Sequence, residues 1–132
     1  MAKKSILFLC IGNCCRSQMA EGFAREFGQD KFDIYSAGSC PAGYVHPEAI
    51  AAMKEIGIDI SKQWSKHTND IEVKSFDYAV TLGCGVVCPV VPTNELVEWE
   101  IPDPIGRGQE FFNKVRDDLG IRVKALLAKL ES

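Results

Sequence analysis

The first quarter of the chain joins an apolar run to a helical segment through a short loop, and this feature limits the fold most. The apolar residues 6–9 indicate a buried strand, and residues 18–27 have helical character. Between them lies the sequence CIGNCCRS, residues 10–17, called here the oxyanion loop. A strand, a tight loop and a helix N-terminus gather backbone N–H groups around an anion. The sequence therefore predicts an anion site on an α/β scaffold.

The residue types within the oxyanion loop fit that purpose. Gly12 and Asn13 readily adopt a positive φ, and Ser17 is predicted to be the N-cap of the helix. The Arg16 guanidinium can hold two oxygens of a tetrahedral anion. Helix dipole, loop amides and Arg16 all favour the thiolate of Cys10, which would attack the bound centre. The alternative is a buried core cysteine beside an ordinary surface arginine. The predicted anion-binding residues are Ile11, Gly12, Asn13, Cys14, Cys15, Arg16 and Ser17.

Strands and helices alternate along the rest of the chain. The predicted strands are residues 32–37, 77–82 and 96–101. Predicted helices begin at Pro47 and extend from Phe111 to the C-terminus, with Gly28 as the C-cap of the first helix. Residues 61–76 are expected to form a loop with a short helical turn. We expect an α/β fold of three layers, a four-stranded parallel sheet with helices on both faces, in a single domain of residues 1–132.

Four polar or thiol side chains follow the ends of predicted strands. They are Cys10, Ser36, Cys84 and Asp103. Because ligands of parallel sheets bind at the carboxyl ends of the strands, we expect these residues on one rim. For Asp103, the spacing alone favours a turn aspartate, since Asp-Pro is a common turn dipeptide.

Composition excludes several classes of function and location. A formal net charge of −3 gives no reason to expect nucleic acid or an acidic membrane as a partner. The apolar run ends at residue 11, too soon for a targeting segment or a membrane span. Because a cytoplasmic location is expected, the six cysteines are predicted to be reduced, catalytic or redox-active thiols. Their spacing does not repeat a zinc-binding pattern, so no metal is expected. No bound cofactor is expected either.

Residues 10–22 resemble the phosphate-binding loop of the low-molecular-weight tyrosine phosphatase superfamily. Gln18 stands where phosphatases of that group have proline, and this makes the loop similar to that of their arsenate reductases. The similarity covers nearly the whole chain, through Ser36-Ala37-Gly38, His46-Pro47, residues 57–61, the Cys84 region and Asp103-Pro104.

The resemblance implies a reaction sequence for these residues. Cys10 attacks arsenate, for which phosphate or sulfate are mimics, and Asp103 acts as general acid. Cys84 then attacks the sulfur of the thiol–arsenate adduct, and Cys88 relays the disulfide to the surface. Two cysteines four residues apart on a helical turn face the same way, although this gap is shorter than is usual in the family. Electrons come from a thiol partner, either thioredoxin or glutaredoxin with glutathione, and a monomer is expected.

The resemblance also implies a supporting set beneath the loop, formed by Ser17, Glu21 and Ser36. Some reductases hold potassium near the loop with the counterparts of Asn13, Glu21 and Ser36 and an additional aspartate, whose place is taken by Lys66. An ammonium supplies positive charge and donors in the same place, so we expect activity that is insensitive to potassium.

Two other functions and a competing oxidised state follow from the same residues. A phosphatase would need Cys10, Arg16 and Asp103 but neither distal cysteine. A thiol-based arsenite binder would use Cys10, Cys84 and Cys88 without turnover. By resemblance to phosphatases, a Cys10–Cys15 disulfide is a competing oxidised form.

Overall fold

The central element of the computed structural model is a four-stranded parallel sheet, in the order β2-β1-β3-β4. The structure describes residues 3–72, 75–83 and 92–131. The strands are β1 (Lys4–Cys10), β2 (Phe32–Gly38), β3 (Phe76–Leu82) and β4 (Thr93–Trp99). The helices are α1 (Arg16–Gly28), α2 (Pro47–Glu55) and α3 (Gln109–Glu131), with a short 3-10 helix at Thr68–Asp70. The predicted fold class is confirmed.

Burial along the strands shows which of them are central. Residues 6–10 of β1 and 78–82 of β3 are all buried, and because successive side chains point to opposite faces, both faces of the sheet are covered there. Strand β4 lies at the edge, and its Leu96 remains 57% exposed.

Helices α1 and α3 pack closely because one position on α3 lacks a side chain. A Cβ at Gly120 would lie 3.0 Å from the ring of Phe23 on α1. Gly120, which lowers helix propensity, therefore allows the two helices to approach. The predicted long amphipathic C-terminal helix is present, with Val115, Leu119 and Val123 buried.

Several predicted boundaries and caps were wrong. Strand β4 ends at Trp99, because Ile101 is buried outside the ladder rather than paired in it. Helix α1 begins at Arg16 with Cys15 as N-cap, so Ser17 lies inside the first turn. Its C-cap is Gln29, which adopts the left-handed conformation with φ of 43°, rather than Gly28.

The end of β2 lies against the oxyanion loop, as predicted. Cys10 pairs with Gly38 in the parallel register. A Cβ at Gly38 would lie 2.8 Å from the Cys10 carbonyl oxygen and 2.9 Å from the Asn13 nitrogen. Only glycine allows this approach of two backbones.

Among the described residues, no helix is long and apolar enough to cross a membrane.

Candidate active site

The backbone of the oxyanion loop is oriented by hydrogen bonds to its outer side. The carbonyl oxygens of Ile11, Gly12 and Cys14 accept from the backbone N–H groups of residues 40, 42 and 46, at 2.8–2.9 Å. The carbonyl of Asn13 accepts from the Gln18 side chain, and that of Cys15 accepts from Met19 N within α1. In a trans peptide the N–H points opposite to the carbonyl, so the N–H groups of residues 12–16 face the interior of the loop. The N–H groups on this inner side are the donors that an oxyanion would use.

Cys10 lies at the end of β1, on the inner side of this loop. It is 2% exposed, and its Sγ lies 2.9 Å from Ser17 Oγ. Asn13 donates from Nδ2 to the same hydroxyl at 2.7 Å. Asn13 has the predicted positive φ, at 45°, whereas Gly12 does not, so the left-handed residue of the turn is the asparagine. Instead of capping α1, Ser17 connects Asn13 with the sulfur.

Arg16, near the end of the loop, is buried, with 7% of its surface exposed. Its Nη1 donates to the carbonyl oxygen of Ile101 at 2.9 Å. Within the described residues its Nε has no hydrogen-bond acceptor. A buried guanidinium N–H without an acceptor is costly, and an anion bound in the loop would supply one.

Cys14 and Cys15 form a thiol pair in the same loop, and both are buried. A hydrogen bond from the Cys15 thiol lowers the pKa of Cys14, aided by the charge of Arg16 and opposed by burial and by the charge of Asp103. The same bond, together with burial, raises the pKa of Cys15 far above its ordinary value. Cys14 is therefore the more acidic of the two, and Cys15 keeps its proton.

Beneath the loop, the Lys66 ammonium lies beside Glu21 and Ser36, two of the predicted supporting residues. Its Nζ lies 3.7 Å from Glu21 Oε1 and 3.4 Å from Ser36 Oγ, and Ser36 donates to Glu21. The Lys66 backbone N–H donates to Asn13 Oδ1 at 2.9 Å. Burial lowers the pKa of Lys66, and the neighbouring Glu21 carboxylate opposes that shift. These residues do not fit a bound potassium ion, because an ammonium already stands among the oxygens that would hold it.

Three predicted site residues remain, namely Asp103, Cys84 and Cys88. Asp103 is exposed in the turn after β4, where its Oδ1 accepts from Ile105 N at 3.0 Å. Its charge raises the pKa of Cys14, so the carboxylate acts electrostatically on the loop from this turn. Cys84 and Cys88 lie outside the described residues.

Several contacts of the loop come from residues that the sequence analysis did not assign to it. The Ile101 carbonyl binds Arg16, and Gly83 is so close that a Cβ there would lie 2.6 Å from Arg16 Nη1. Gln63 donates to Gln18, which donates to Asn13. Neither a main-chain carbonyl nor a glutamine side chain has a sequence signal that would reveal such a contact.

Comparison with known proteins agrees with this geometry. The family model for low molecular weight phosphotyrosine protein phosphatases matches residues 5–132. An arsenate reductase of Halalkalibacterium halodurans is 48% identical, over 94% of this chain and 95% of that protein. A solved arsenate reductase in a phosphate-binding state superposes with a TM-score of 0.85 at 40% identity, covering 96% of this chain and 98% of the other. The thioredoxin-dependent arsenate reductase of Corynebacterium glutamicum superposes with a TM-score of 0.83 at 28% identity, covering 98% of this chain and 62% of that one. The chain therefore belongs to the low-molecular-weight phosphotyrosine protein phosphatase family, in which these relatives are arsenate reductases.

Proposed function

We propose that this protein reduces arsenate to arsenite through a covalent adduct on Cys10. The observation that supports this most directly is the loop itself, whose outward carbonyls leave the N–H groups of residues 12–16 on the opposite side, and whose Arg16 Nε has no acceptor among the described residues. These donors match a tetrahedral oxyanion, and the sulfur is placed to attack its centre. The arsenate reductases among its relatives support arsenate as that oxyanion.

In the first step the Cys10 thiolate forms a bond to arsenic and an oxygen departs as water. We assign the proton for that oxygen to Asp103, whose charge acts on Cys14 of the loop. Arg16 holds two of the remaining oxygens, as its planar fork allows.

In the second step a thiolate, assigned to Cys84, attacks Cys10 Sγ. The S–S bond forms as the S–As bond breaks, and the electron pair of that bond stays on arsenic, which becomes arsenite. Exchange with Cys88 moves the disulfide outward, and a dithiol partner then reduces it. We propose thioredoxin as that partner, because a relative is thioredoxin-dependent, with glutaredoxin and glutathione as the alternative. We also propose that the protein is a monomer. A cytoplasmic location fits a reaction that consumes thiol reductants.

The test is arsenate-dependent oxidation of NADPH with purified protein, thioredoxin and thioredoxin reductase. We expect steady turnover that is lost in Cys10→Ser, Cys84→Ser and Cys88→Ser. Cys40→Ser is the matched control, since Cys40 is exposed and its turnover should be unchanged. Turnover only with glutathione and glutaredoxin would remove thioredoxin and the Cys88 relay from the proposal. No reduction with either donor, together with hydrolysis of an aryl phosphate, would refute arsenate reduction and indicate a phosphatase.

A further inference from the structure

Cys10 is at the inner end of a chain of hydrogen bonds that reaches the protein surface. From the surface inward, the chain passes through Gln63, Gln18, Asn13 and Ser17 to the Cys10 sulfur. Its links measure 2.8, 3.0, 2.7 and 2.9 Å in that order. Gln18, Asn13 and Ser17 are fully buried, whereas Gln63 is half-buried.

The direction of the innermost link depends on Ser17. A serine hydroxyl has one proton and two lone pairs. Because Asn13 Nδ2 donates to that oxygen, the hydroxyl proton is free to point at Cys10 Sγ. A donor aimed at the sulfur stabilises the thiolate over the thiol.

The amide of Asn13 is in turn held in one orientation by two donors. Its Oδ1 accepts from the Lys66 backbone N–H at 2.9 Å and from Gln18 Nε2 at 3.0 Å. If the amide were reversed, its NH₂ group would face both donors, and Ser17 would lose the donor that frees its proton. The Gln18 Nε2 thus helps decide which end of Asn13 faces Ser17.

Gln18 is oriented by its own contacts on both ends. Its Nε2 also donates to the carbonyl oxygens of Asn13 and Trp64, at 3.0 and 2.9 Å. Its Oε1 accepts from Gln63 Nε2 at 2.8 Å, so the acceptor end of the amide faces Gln63. Each amide in the chain therefore fixes the orientation of the next.

We propose that Gln18 and Gln63 are positioning residues that hold the Ser17 hydroxyl as a donor to Cys10 and so maintain its thiolate. They act through Asn13 and do not touch the substrate. This inference rests on the proposed function only in taking Cys10 as the nucleophile. It adds one residue of α1 and one residue of the loop after α2 to the control of that nucleophile.

The test is the alkylation rate of Cys10 by iodoacetamide in the fully reduced chain, without phosphate or arsenate. Fragment-ion mass spectrometry separates Cys10 from Cys14 and Cys15. Rates are measured at pH 6, where only a stabilised thiolate reacts, and at pH 9. Gln18→Leu should lower the rate at pH 6 about 5-fold and leave that at pH 9 within about 2-fold, since one oriented donor to a charged sulfur is lost. Gln63→Leu should lower the pH 6 rate about 2-fold, because its effect is one link further away.

Gln109→Leu is the matched control. Gln109 Nε2 also donates two hydrogen bonds, one to the Glu48 carbonyl of α2 and one to Asn113 Oδ1 within α3. In Gln109→Leu the ratio of the Cys10 alkylation rate at pH 6 to that at pH 9 should equal the wild-type ratio. A folded Gln18→Leu protein with the wild-type ratio would overturn the proposal. If Gln18→Leu does not fold, the ratio in Gln63→Leu decides in the same way. Since no arsenate is present, this result is independent of whether the protein reduces arsenate.

Discussion

Gly83 is the position where a single added methyl group should disturb Arg16, the arginine of the proposed anion site. Its φ is +80°, and a Cβ there would lie 2.6 Å from Arg16 Nη1 and 2.8 Å from the Ile101 carbonyl oxygen. These two atoms are hydrogen-bonded to each other at 2.9 Å, so Gly83→Ala must separate them or move the backbone.

The expected loss has two parts. A side chain in the left-handed region costs about 1–2 kcal/mol. The hydrogen bond from the charged guanidinium contributes about 1.5–3 kcal/mol. The sum is about 2.5–5 kcal/mol of unfolding free energy. If Arg16 leaves the loop, the affinity for phosphate should fall by about tenfold or more.

Gly57→Ala is the matched control for this substitution. Its φ is +84°, and a Cβ there meets nothing within 4 Å. Gly57→Ala should lower the unfolding free energy by only the backbone part, about 1–2 kcal/mol. Both substitutions reduce the entropy of the unfolded chain equally, so that effect cancels in the comparison. Urea unfolding gives the two stabilities, and isothermal titration with phosphate gives the two affinities. Equal stability losses with unchanged phosphate binding in Gly83→Ala would refute the reasoning.

Two further predictions concern Lys66, whose ammonium lies beside Glu21 and Ser36. Replacing sodium with potassium at constant ionic strength should leave the rate of arsenate reduction unchanged, and a clear increase would show that a cation still binds. Burial lowers the pKa of Lys66 from 10.5, so the unfolded chain keeps this proton to higher pH than the folded chain. The stability of the wild type relative to Lys66→Gln should therefore rise as the pH approaches 10.5; a constant difference in urea unfolding would contradict this.

Prediction from sequence succeeded best where the contacts are local. The strand, loop and helix of residues 6–28 follow from hydrophobic pattern and turn residues close together in the chain. The N-cap of α1 was wrongly predicted at Ser17, because a serine near a helix start can either cap the helix or bond other side chains. The Ser17 side chain accepts from Asn13 and contacts Cys10, whereas α1 begins one residue earlier. The position of β4 was misjudged because Ile101 is apolar and buried but lies beyond the ladder.

The sequence by itself determined the residues on which the proposed chemistry of the oxyanion loop depends, because the proposed nucleophile, the arginine and the backbone donors lie within residues 10–17. Only the tertiary structure decided what surrounds them. Lys66 N bonds Asn13 across 53 positions, the Ile101 carbonyl binds Arg16 across 85, and Gln63 bonds Gln18 across 45. Such partners are a backbone atom or an ordinary polar side chain, whose role depends on where the chain returns. Local propensity encodes the loop, whereas the packing of the whole sheet selects the groups that orient it.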